Sequence, residues 1–234
     1  VFDMSSPQTG VLPEFQQAPP SQVFAEARTL RDAGAKFIGL RDESCLANAL
    51  WVQEFCEQWQ MQVGLPFWIV SRPEFLKESV FELLARAGCY RVHMVVEAGA
   101  DHVRRRVLGR RVSDTHLLYA ARAVRRFQMS LITINEIGFP GETEDMVRAT
   151  IDLNRQMKPD WALCSVFHPV PGSAIFQRAE AKKWLTKSAY GIFYDPETKI
   201  EQPWIRGKKV QEYLDAFNAM VYGPKVIPGR RTRA

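Results

Sequence analysis

Polar side chains that could bind a charged ligand stand where successive predicted strands end. They are Asp42 and Glu43, Ser71 and Arg72, Glu97, Asn135 and Glu136, and His168. In a parallel barrel the carboxyl ends of the strands open towards one mouth, where active sites are built. Carboxylates accept hydrogen bonds from ammonium groups or ribose hydroxyls, and an arginine can hold a carboxylate in a bidentate fork. One such residue is usually a helix cap, but several at successive strand ends favour a binding site.

Two glycine- and proline-rich stretches follow predicted strands and support this interpretation. Residues 135–143 read Asn-Glu-Ile-Gly-Phe-Pro-Gly-Glu-Thr, and residues 167–173 read Phe-His-Pro-Val-Pro-Gly-Ser. Because glycine has no Cβ, its backbone groups can approach a flat ligand closely. Taken alone, the first stretch is better explained as an ordinary strand-to-helix turn. The second stretch, in an equivalent position, favours ligand binding.

The elements that must position these residues alternate along the chain. Strands are predicted at residues 36–42, 66–70, 90–97, 131–134 and 161–167. Helices are predicted at about residues 21–33, 46–60, 73–87, 114–127 and 142–157, and further helices at about 177–187 and 208–222. Strands separated by single helices imply right-handed crossovers and a parallel sheet. The sequence therefore predicts an α/β fold whose first helix has no strand before it.

Composition limits the class of protein. The chain has 234 residues, of which 46% are apolar, so it can bury a sizeable core. No apolar run approaches the roughly 18 residues of a membrane span, and the first residues do not resemble a signal peptide. We therefore expect a cytoplasmic protein with no membrane partner. The formal charge of +5 comes partly from terminal arginines, which are interpreted as a solvated end. Residues 104–106 and 110–111 form further basic runs, and no nucleic-acid-binding motif accompanies them.

The cysteines do not form a recognisable metal motif. Cys45, Cys56, Cys89 and Cys164 are too far apart in sequence for a CxxC pair or a compact iron–sulfur motif. A reduced thiol in or beside an apolar strand packs as a small hydrophobe. We therefore predict reduced structural cysteines and no metal ligands in this chain.

The motifs, in this order, resemble a radical S-adenosylmethionine domain, most closely the subgroup that often carries an N-terminal cobalamin-binding domain. The matching stretches lie between about residues 21 and 176 and are residues 37–43, 87–89, 95–99, 107–110, 135–143 and 167–173. The resemblance implies a partial (β/α)6 barrel, similar to a TIM barrel, that lacks its first strand and carries a C-terminal helical extension. It places the core, truncated at its N-terminus, at residues 1–176 and an extension or cap at 177–234.

The resemblance also implies an activity. The family binds a [4Fe-4S] cluster and S-adenosylmethionine, which is cleaved reductively to a 5′-deoxyadenosyl radical. Methyl transfer or related chemistry on a small-molecule or peptide substrate is therefore expected, with flavodoxin or ferredoxin as the electron donor. Cobalamin, held by an additional N-terminal domain, is an optional further cofactor. The identity of the substrate is not encoded in any recognisable motif, and no catalytic residue is assigned.

The resemblance also assigns charged residues of this chain to parts of the S-adenosylmethionine molecule. The resemblance implies that Asp42 and Glu43 lie near the amino group of the methionine moiety. It places Glu97 at the ribose or the methionine moiety, and Arg110 near the carboxylate. Here Arg41-Asp42-Glu43 stands where an Asp-Asp pair is commoner, and Val95-Val96 replaces a glycine-containing approach to Glu97.

The two loops are assigned to the adenine. Ile137 and Gly138 would meet it through backbone groups, and Asn135 opens the same matching stretch. Pro169 and Val170 would line its apolar side. All five positions are therefore predicted to bind the cofactor.

The CxxxCxxC loop that defines the family is absent from the 234 residues, and none of the four cysteines replaces it. Residues 2–7 resemble the stretch beyond the last cluster ligand. One interpretation is a fragment of a longer radical enzyme, inactive alone without the cluster loop; the start at Val1 rather than Met favours it. Another is a cluster-less, degenerate barrel that acts as a binding module. A third is an unrelated βα-barrel enzyme that uses Glu97, Glu136 and His168 for acid–base chemistry, whereas the mid-strand His93 is predicted to be a core residue.

Overall fold

The structure is a computed structural model that describes residues 17–190 and 198–223. The interpretations of residues 2–7 and of the terminal arginines lie outside this part of the chain. The described residues form two compact units. The N-terminal unit comprises those within Glu14–Val96 and Thr115–Thr133, and the C-terminal unit those within Glu97–Asp114 and Ile134–Ala234. The boundary predicted at residue 176 stays a prediction.

The strands form a sheet whose spatial order follows the sequence. In the described residues they are β1 (Ile38–Leu40), β2 (Phe67–Ser71), β3 (Cys89–Glu97), β4 (Ser130–Ile137) and β5 (Trp161–Val166), in the order β1-β2-β3-β4-β5. The pairs β1–β2 and β2–β3 are parallel, with Leu40 opposite Ile69 and Ser71 opposite Met94. Sequential order distinguishes the sheet from a doubly wound one, in which the order reverses. The predicted α/β fold is confirmed.

Helices separate the strands as predicted, with local differences. They are α1 (Pro20–Asp32), α2 (Ala49–Gln62), α3 (Glu78–Arg86), α4 (Asp114–Arg126), α5 (Glu144–Met157), α6 (Ala174–Ala181) and α7 (Gly207–Tyr222). The prediction of one helix over residues 73–87 is wrong. Pro73–Phe75 forms a 3-10 turn, and Leu76 then leaves the helical conformation (φ −84°, ψ 86°) with its side chain fully buried. The predicted helix 177–187 is misplaced, because Ser173 caps α6 by accepting the Phe176 N–H at 3.2 Å.

Aromatic rings fill the core of the N-terminal unit. Phe55 of α2 stacks on Trp51 at 4.9 Å between ring centroids, and Trp59 packs on Phe67 of β2 at 5.0 Å. On the opposite face of β2, Trp68 stacks on His93 at 4.5 Å. Burial and the neighbouring Arg91 lower the pKa of His93 to about 4, so its ring is neutral at pH 7. His93 is half-buried and its Nε2 makes no hydrogen bond to the described residues, so its assignment as a core histidine stays a prediction.

The C-terminal unit has two apolar clusters. In one, α7 packs on α5 and β5, with Phe217, Ile151 and Ala162 among the buried side chains. In the other, Phe139 and Phe167, one from each glycine- and proline-rich stretch, lie 4.5 Å apart between ring centroids. The helix after residue 206 therefore belongs to the first cluster, which also contains Ile137 at the end of β4, whereas the two loop phenylalanines form the second.

No helix within the described ranges is both long enough and apolar enough to span a bilayer.

Candidate functional site

A buried ion pair stands at the carboxyl end of β3. Arg110 NH2 lies 2.7 Å from Glu97 Oε1, and neither side chain is more than 7% exposed. Glu97 also has a left-handed backbone (φ 66°), a conformation that costs a non-glycine residue roughly 1–3 kcal/mol. Such strain persists only where the surroundings hold the residue in place. The structure thus brings two of the predicted site residues into direct contact.

Arg104 fixes the segment that follows Glu97. Its fully buried guanidinium donates to the carbonyl oxygens of Ala98 (2.8 Å), Gly99 (2.6 Å) and Val112 (3.3 Å), and it forms an ion pair with Asp114. Each of these contacts is charge-assisted, and such bonds are stronger than neutral ones. Arg104 is therefore buried, whereas Arg105 and Arg106 of the same basic run are exposed.

Helix α5 holds the same segment from its other side. The Gly99 N–H donates to Thr150 Oγ1 at 2.8 Å. A Cβ at Gly99 would lie 2.3 Å from the backbone oxygen of Ala149, so no other residue fits without a backbone shift. The backbone around Glu97 is consequently positioned by both Arg104 and α5.

Glu136 lies close to the Glu97–Arg110 pair. Its Oε1 accepts a hydrogen bond from Ser165 Oγ at 3.5 Å, whereas its buried Oε2 has no hydrogen-bond partner among the described residues. Burial and then the negative charge of Glu97 raise the pKa of Glu136 to about 8, while the Ser165 hydrogen bond and Arg110 act in the opposite direction. The carboxyl group is therefore mainly protonated at pH 7. The sequence placed Glu136 at a strand end, but the family resemblance gave it no ligand contact.

Asn135 points away from Glu136, because successive side chains of a strand face opposite sides. Its Nδ2 donates to the Leu163 carbonyl at 2.9 Å, and its Oδ1 accepts from Asn154 Nδ2 at 2.8 Å. The amide therefore links β4 to β5 and α5. A ligand role for Asn135 stays a prediction.

The loop after β4 is held by side-chain hydrogen bonds. Glu142 Oε2 accepts from the backbone N–H groups of Gly138 (2.5 Å) and Phe139 (3.1 Å). Burial raises the pKa of Glu142 to about 7, although these two N–H groups lower it. The Ile137 carbonyl accepts from the Phe167 N–H at 2.8 Å. The Gly138 N–H and the Ile137 carbonyl thus have partners inside the protein, and the predicted contact of these two residues with adenine stays a prediction.

Gln202 holds the same loop through both ends of its amide group. Its Oε1 accepts from the Gly141 N–H at 2.6 Å and its Nε2 donates to the Phe139 carbonyl at 2.8 Å. Only 3% of the residue is exposed, so these bonds are shielded from water. Sequence reasoning missed Gln202, since a glutamine 61 residues from its partner leaves no local pattern.

Replacing Gln202 by Ala is expected to lower the free energy of unfolding by about 1–3 kcal/mol, because the buried Phe139 carbonyl and the partly buried Gly141 N–H lose their partner. Amide hydrogen exchange at Gly141 should become faster. Urea unfolding and exchange measured by mass spectrometry test both effects. The matched control is Gln211→Ala, because Gln211 bonds an exposed carboxylate on the same helix, Asp215. Equal losses in the two variants would show that the Gln202 contacts do not stabilise the loop.

The second predicted loop lies beside the first. His168 and Pro169 are buried and Val170 is half-buried, whereas Pro171 and Gly172 at the turn are exposed. His168 is 6% exposed. The carbonyl of Val170 accepts the Ser173 N–H at 3.0 Å, which closes the turn. The predicted contacts of Pro169 and Val170 with adenine remain predictions.

Asp42 and Glu43 lie in the N-terminal unit, in the turn that follows β1. Asp42 Oδ1 accepts the Ser44 N–H at 2.8 Å, and the Glu43 carbonyl accepts the Arg72 N–H at 3.1 Å. Glu43 is buried, whereas Asp42 is exposed. Their position after a strand is as predicted, and their ligand contacts stay predictions.

The four cysteines do not fit a [4Fe-4S] cluster. All four are free thiols; Cys45, Cys56 and Cys89 lie in the N-terminal unit and Cys164 in the C-terminal unit. Burial raises the pKa of each of the first three to about 12 and that of Cys164 well above its ordinary value. Cluster ligands are thiolates, which this environment disfavours. Within residues 17–190 and 198–223, no three His, Cys, Asp or Glu side chains are grouped as metal ligands.

Known sequences identify the class of protein to which this chain belongs. The radical SAM superfamily model matches residues 10–153, so the chain belongs to that superfamily. An uncharacterized methyltransferase of Pyrococcus horikoshii is 25% identical over 160 residues, which are 67% of this chain and 34% of that protein. A tRNA-2-methylthio-N(6)-dimethylallyladenosine synthase of Thermus thermophilus is 26% identical over 169 residues, 68% of this chain and 36% of that protein. The chain thus spans about a third of the length of these relatives.

Solved structures show the same fold. The radical SAM methyltransferase TsrM from Kitasatospora setae, solved with cobalamin and a [4Fe-4S] cluster, matches with a TM-score of 0.62 and 18% identity, over 87% of this chain and 41% of that one. Coproporphyrinogen III oxidase (HemN) from Escherichia coli, a radical SAM enzyme, matches with a TM-score of 0.56 and 14% identity, over 84% and 45%. The predicted radical SAM fold is therefore confirmed. Because the chain belongs to this superfamily, the alternative of an unrelated βα-barrel enzyme is wrong.

Proposed function

We propose that this chain supplies the S-adenosylmethionine-binding part of a radical SAM enzyme that performs methyl transfer or a related reaction. The observation that carries the proposal is the buried Glu97–Arg110 pair at the end of β3, in a chain that belongs to the superfamily. Methyl transfer is favoured because the relatives include an uncharacterized methyltransferase and a tRNA-2-methylthio-N(6)-dimethylallyladenosine synthase. TsrM, whose fold is similar, is also a methyltransferase. The substrate class remains a small molecule or a peptide.

The paired charges suit an amino-acid zwitterion. Glu97 can accept hydrogen bonds from the ammonium group or the ribose hydroxyls of S-adenosylmethionine, and Arg110 has N–H donors beyond the one bonded to Glu97. Burial excludes water, so each contact is stronger than it would be at the surface. When bound, S-adenosylmethionine supplies the methyl or 5′-deoxyadenosyl group. The residues of this chain bind it and orient it.

The other cofactors are proposed to be bound outside these 234 residues. The four cysteines do not fit the [4Fe-4S] cluster, and the chain spans about a third of the length of its relatives. Flavodoxin or ferredoxin would donate electrons to that cluster, and cobalamin would require a further domain. On this proposal the enzyme is cytoplasmic, and the chain alone has no radical activity.

Binding of S-adenosylmethionine tests the proposal directly. Isothermal titration calorimetry of the 234-residue chain is expected to show binding that Glu97→Gln weakens at least tenfold, which corresponds to about 1.4 kcal/mol for a charge-assisted hydrogen bond. Arg111→Met is the control, because Arg111 is exposed beside Arg110. A folded wild-type chain that binds no S-adenosylmethionine, or a Glu97→Gln variant that binds it as tightly, would overturn the proposal.

The nucleotide sequence upstream of the codon for Val1 tests the origin of the cluster. We expect an in-frame extension that encodes CxxxCxxC. Anaerobic reconstitution of that longer protein with iron and sulfide should then yield a cluster. A stop codon or a start signal directly before Val1 would instead support the cluster-less binding module, and the enzymatic part of the proposal would fall.

A further inference from the structure

We propose that Glu136 is the counter-charge for a cationic group of the bound ligand, so that binding of this group is coupled to ionisation of the Glu136 carboxyl. The inference rests on the proposed function, under which the cationic group is the sulfonium or the ammonium of S-adenosylmethionine. The family resemblance assigns no contact to this residue.

The placement of Glu136 supports this role. On β4 it faces away from the Asn135 amide network and lies near the Glu97–Arg110 pair. Ser165 of β5, which contacts it through Oγ, is exposed on the same side, as is Leu163. This side of the C-terminal unit is therefore open to a ligand next to the half-buried Glu136, whose Oε2 is buried.

Among residues 17–190 and 198–223, no positive charge is left over to balance an ionised Glu136. Within the described part of the chain, the groups that face it are Glu97 from the end of β3, Arg110, the Ser165 hydroxyl and the Cys164 thiol of β5. Arg110 lies at hydrogen-bond distance from Glu97, so that these two charges cancel. Glu136 Oε2 is buried and makes no hydrogen bond to the described residues. A buried carboxylate without a partner is costly, and a protein avoids this cost by keeping the group protonated.

A ligand cation reverses this preference. A positive charge within about 4–6 Å favours the ionised form and lowers the pKa of a carboxyl by roughly 1–3 units. The pKa of Glu136 is about 8 before binding, so at pH 7 the cation must displace a proton. Above pH 8 the carboxylate is already ionised, and the cation binds without this cost. Affinity for the cation therefore rises as the pH increases through 8.

Three probes separate the sources of the charge. S-adenosylmethionine carries a sulfonium and an ammonium, S-adenosylhomocysteine carries only the ammonium, and 5′-methylthioadenosine carries neither. Calorimetric titration of the 234-residue chain at pH 6.5 and pH 8.5 should show affinity for S-adenosylmethionine rising roughly 5- to 20-fold for a shift of one to two pKa units. The affinity for 5′-methylthioadenosine should not change. A rise shared by S-adenosylhomocysteine identifies the ammonium, and a rise confined to S-adenosylmethionine identifies the sulfonium.

Variants assign the effect to Glu136. Glu136→Gln should remove this part of the pH dependence, and Glu136→Asp, which retains a carboxyl, should keep it. Comparison with the wild type isolates Glu136, because titration of the ligand's own groups is common to all variants. Glu54→Gln, on an exposed position of α2, is the control and should titrate like the wild type.

A spectroscopic measurement follows the carboxyl itself. The 13Cδ signal that is lost in Glu136→Gln should titrate near pH 8 in the free chain and at lower pH with S-adenosylmethionine bound. Equal pH dependence in the wild type and Glu136→Gln, or an equal rise for 5′-methylthioadenosine, would overturn the inference and leave the proposed function intact. Absence of binding by all three probes to the folded chain would overturn the proposed function, and the inference with it.

Discussion

Replacing Arg110 by Met is expected to lower the free energy of unfolding by about 3–5 kcal/mol, because the substitution leaves the Glu97 carboxylate buried without its partner. Both side chains are almost fully buried, so water cannot replace the guanidinium. The effect should be larger at pH 8 than at pH 5. Glu97 is forced to take up a proton when its partner is lost, and that protonation is harder at the higher pH. Urea unfolding at the two pH values measures both effects.

The neighbouring arginine provides the control for this experiment. Arg111 is exposed, and Arg111→Met should change the stability by no more than about 0.5 kcal/mol. The double variant Glu97→Gln with Arg110→Met removes the unpaired charge, so it should be more stable than Arg110→Met alone. If Arg110→Met and Arg111→Met cost the same, the ion pair does not stabilise the fold.

The order of the elements and the strand ends could be read from the sequence, because local patterns determine them. Apolar runs separated by amphipathic helices predicted all five strands, and Glu97 and Glu136 were placed at or beside strand ends. The helix predicted from residue 142 begins at Glu144, and Thr143 caps it by accepting the Met146 N–H at 3.3 Å. Motifs in their correct order then identified the superfamily.

The partners of the site residues could not be read in the same way. Whether an arginine is solvated or buried depends on the carbonyl groups that surround it. Arg104 and Arg105 are adjacent in the sequence, so a local pattern could not show which of the two is buried. Gln202 reaches a loop 61 residues away. The loop before α5 was correctly located, but the sequence did not show that the Glu142 carboxyl accepts a hydrogen bond from the Gly138 N–H. Contacts distant in sequence decide which backbone groups remain available to a ligand.

Arg104 makes the most extensive of these unpredicted contacts, and its replacement is the second prediction with a large expected effect. Replacing Arg104 by Met should lower the free energy of unfolding by about 3–5 kcal/mol, since hydrogen bonds to a charged donor contribute about 1.5–3 kcal/mol each and are not additive. The carbonyl oxygens of Ala98, Gly99 and Val112 would lose a buried partner. Arg104→Lys should recover only part of the loss, because one ammonium group cannot reproduce the planar fork of the guanidinium. Urea unfolding of the three proteins measures the series.

Arg105 is the control for the Arg104 variants, because the two residues have the same side chain and differ in burial. Its ion pair with Asp101 is 2.8 Å long but about half-exposed on both sides, and such pairs contribute at most about 1 kcal/mol. Arg105→Met should therefore change stability and S-adenosylmethionine binding little. Arg104→Met should weaken binding as well, since Ala98 and Gly99 directly follow Glu97 and fix its left-handed backbone. Loss of stability with unchanged binding would show that Arg104 supports the fold without positioning Glu97.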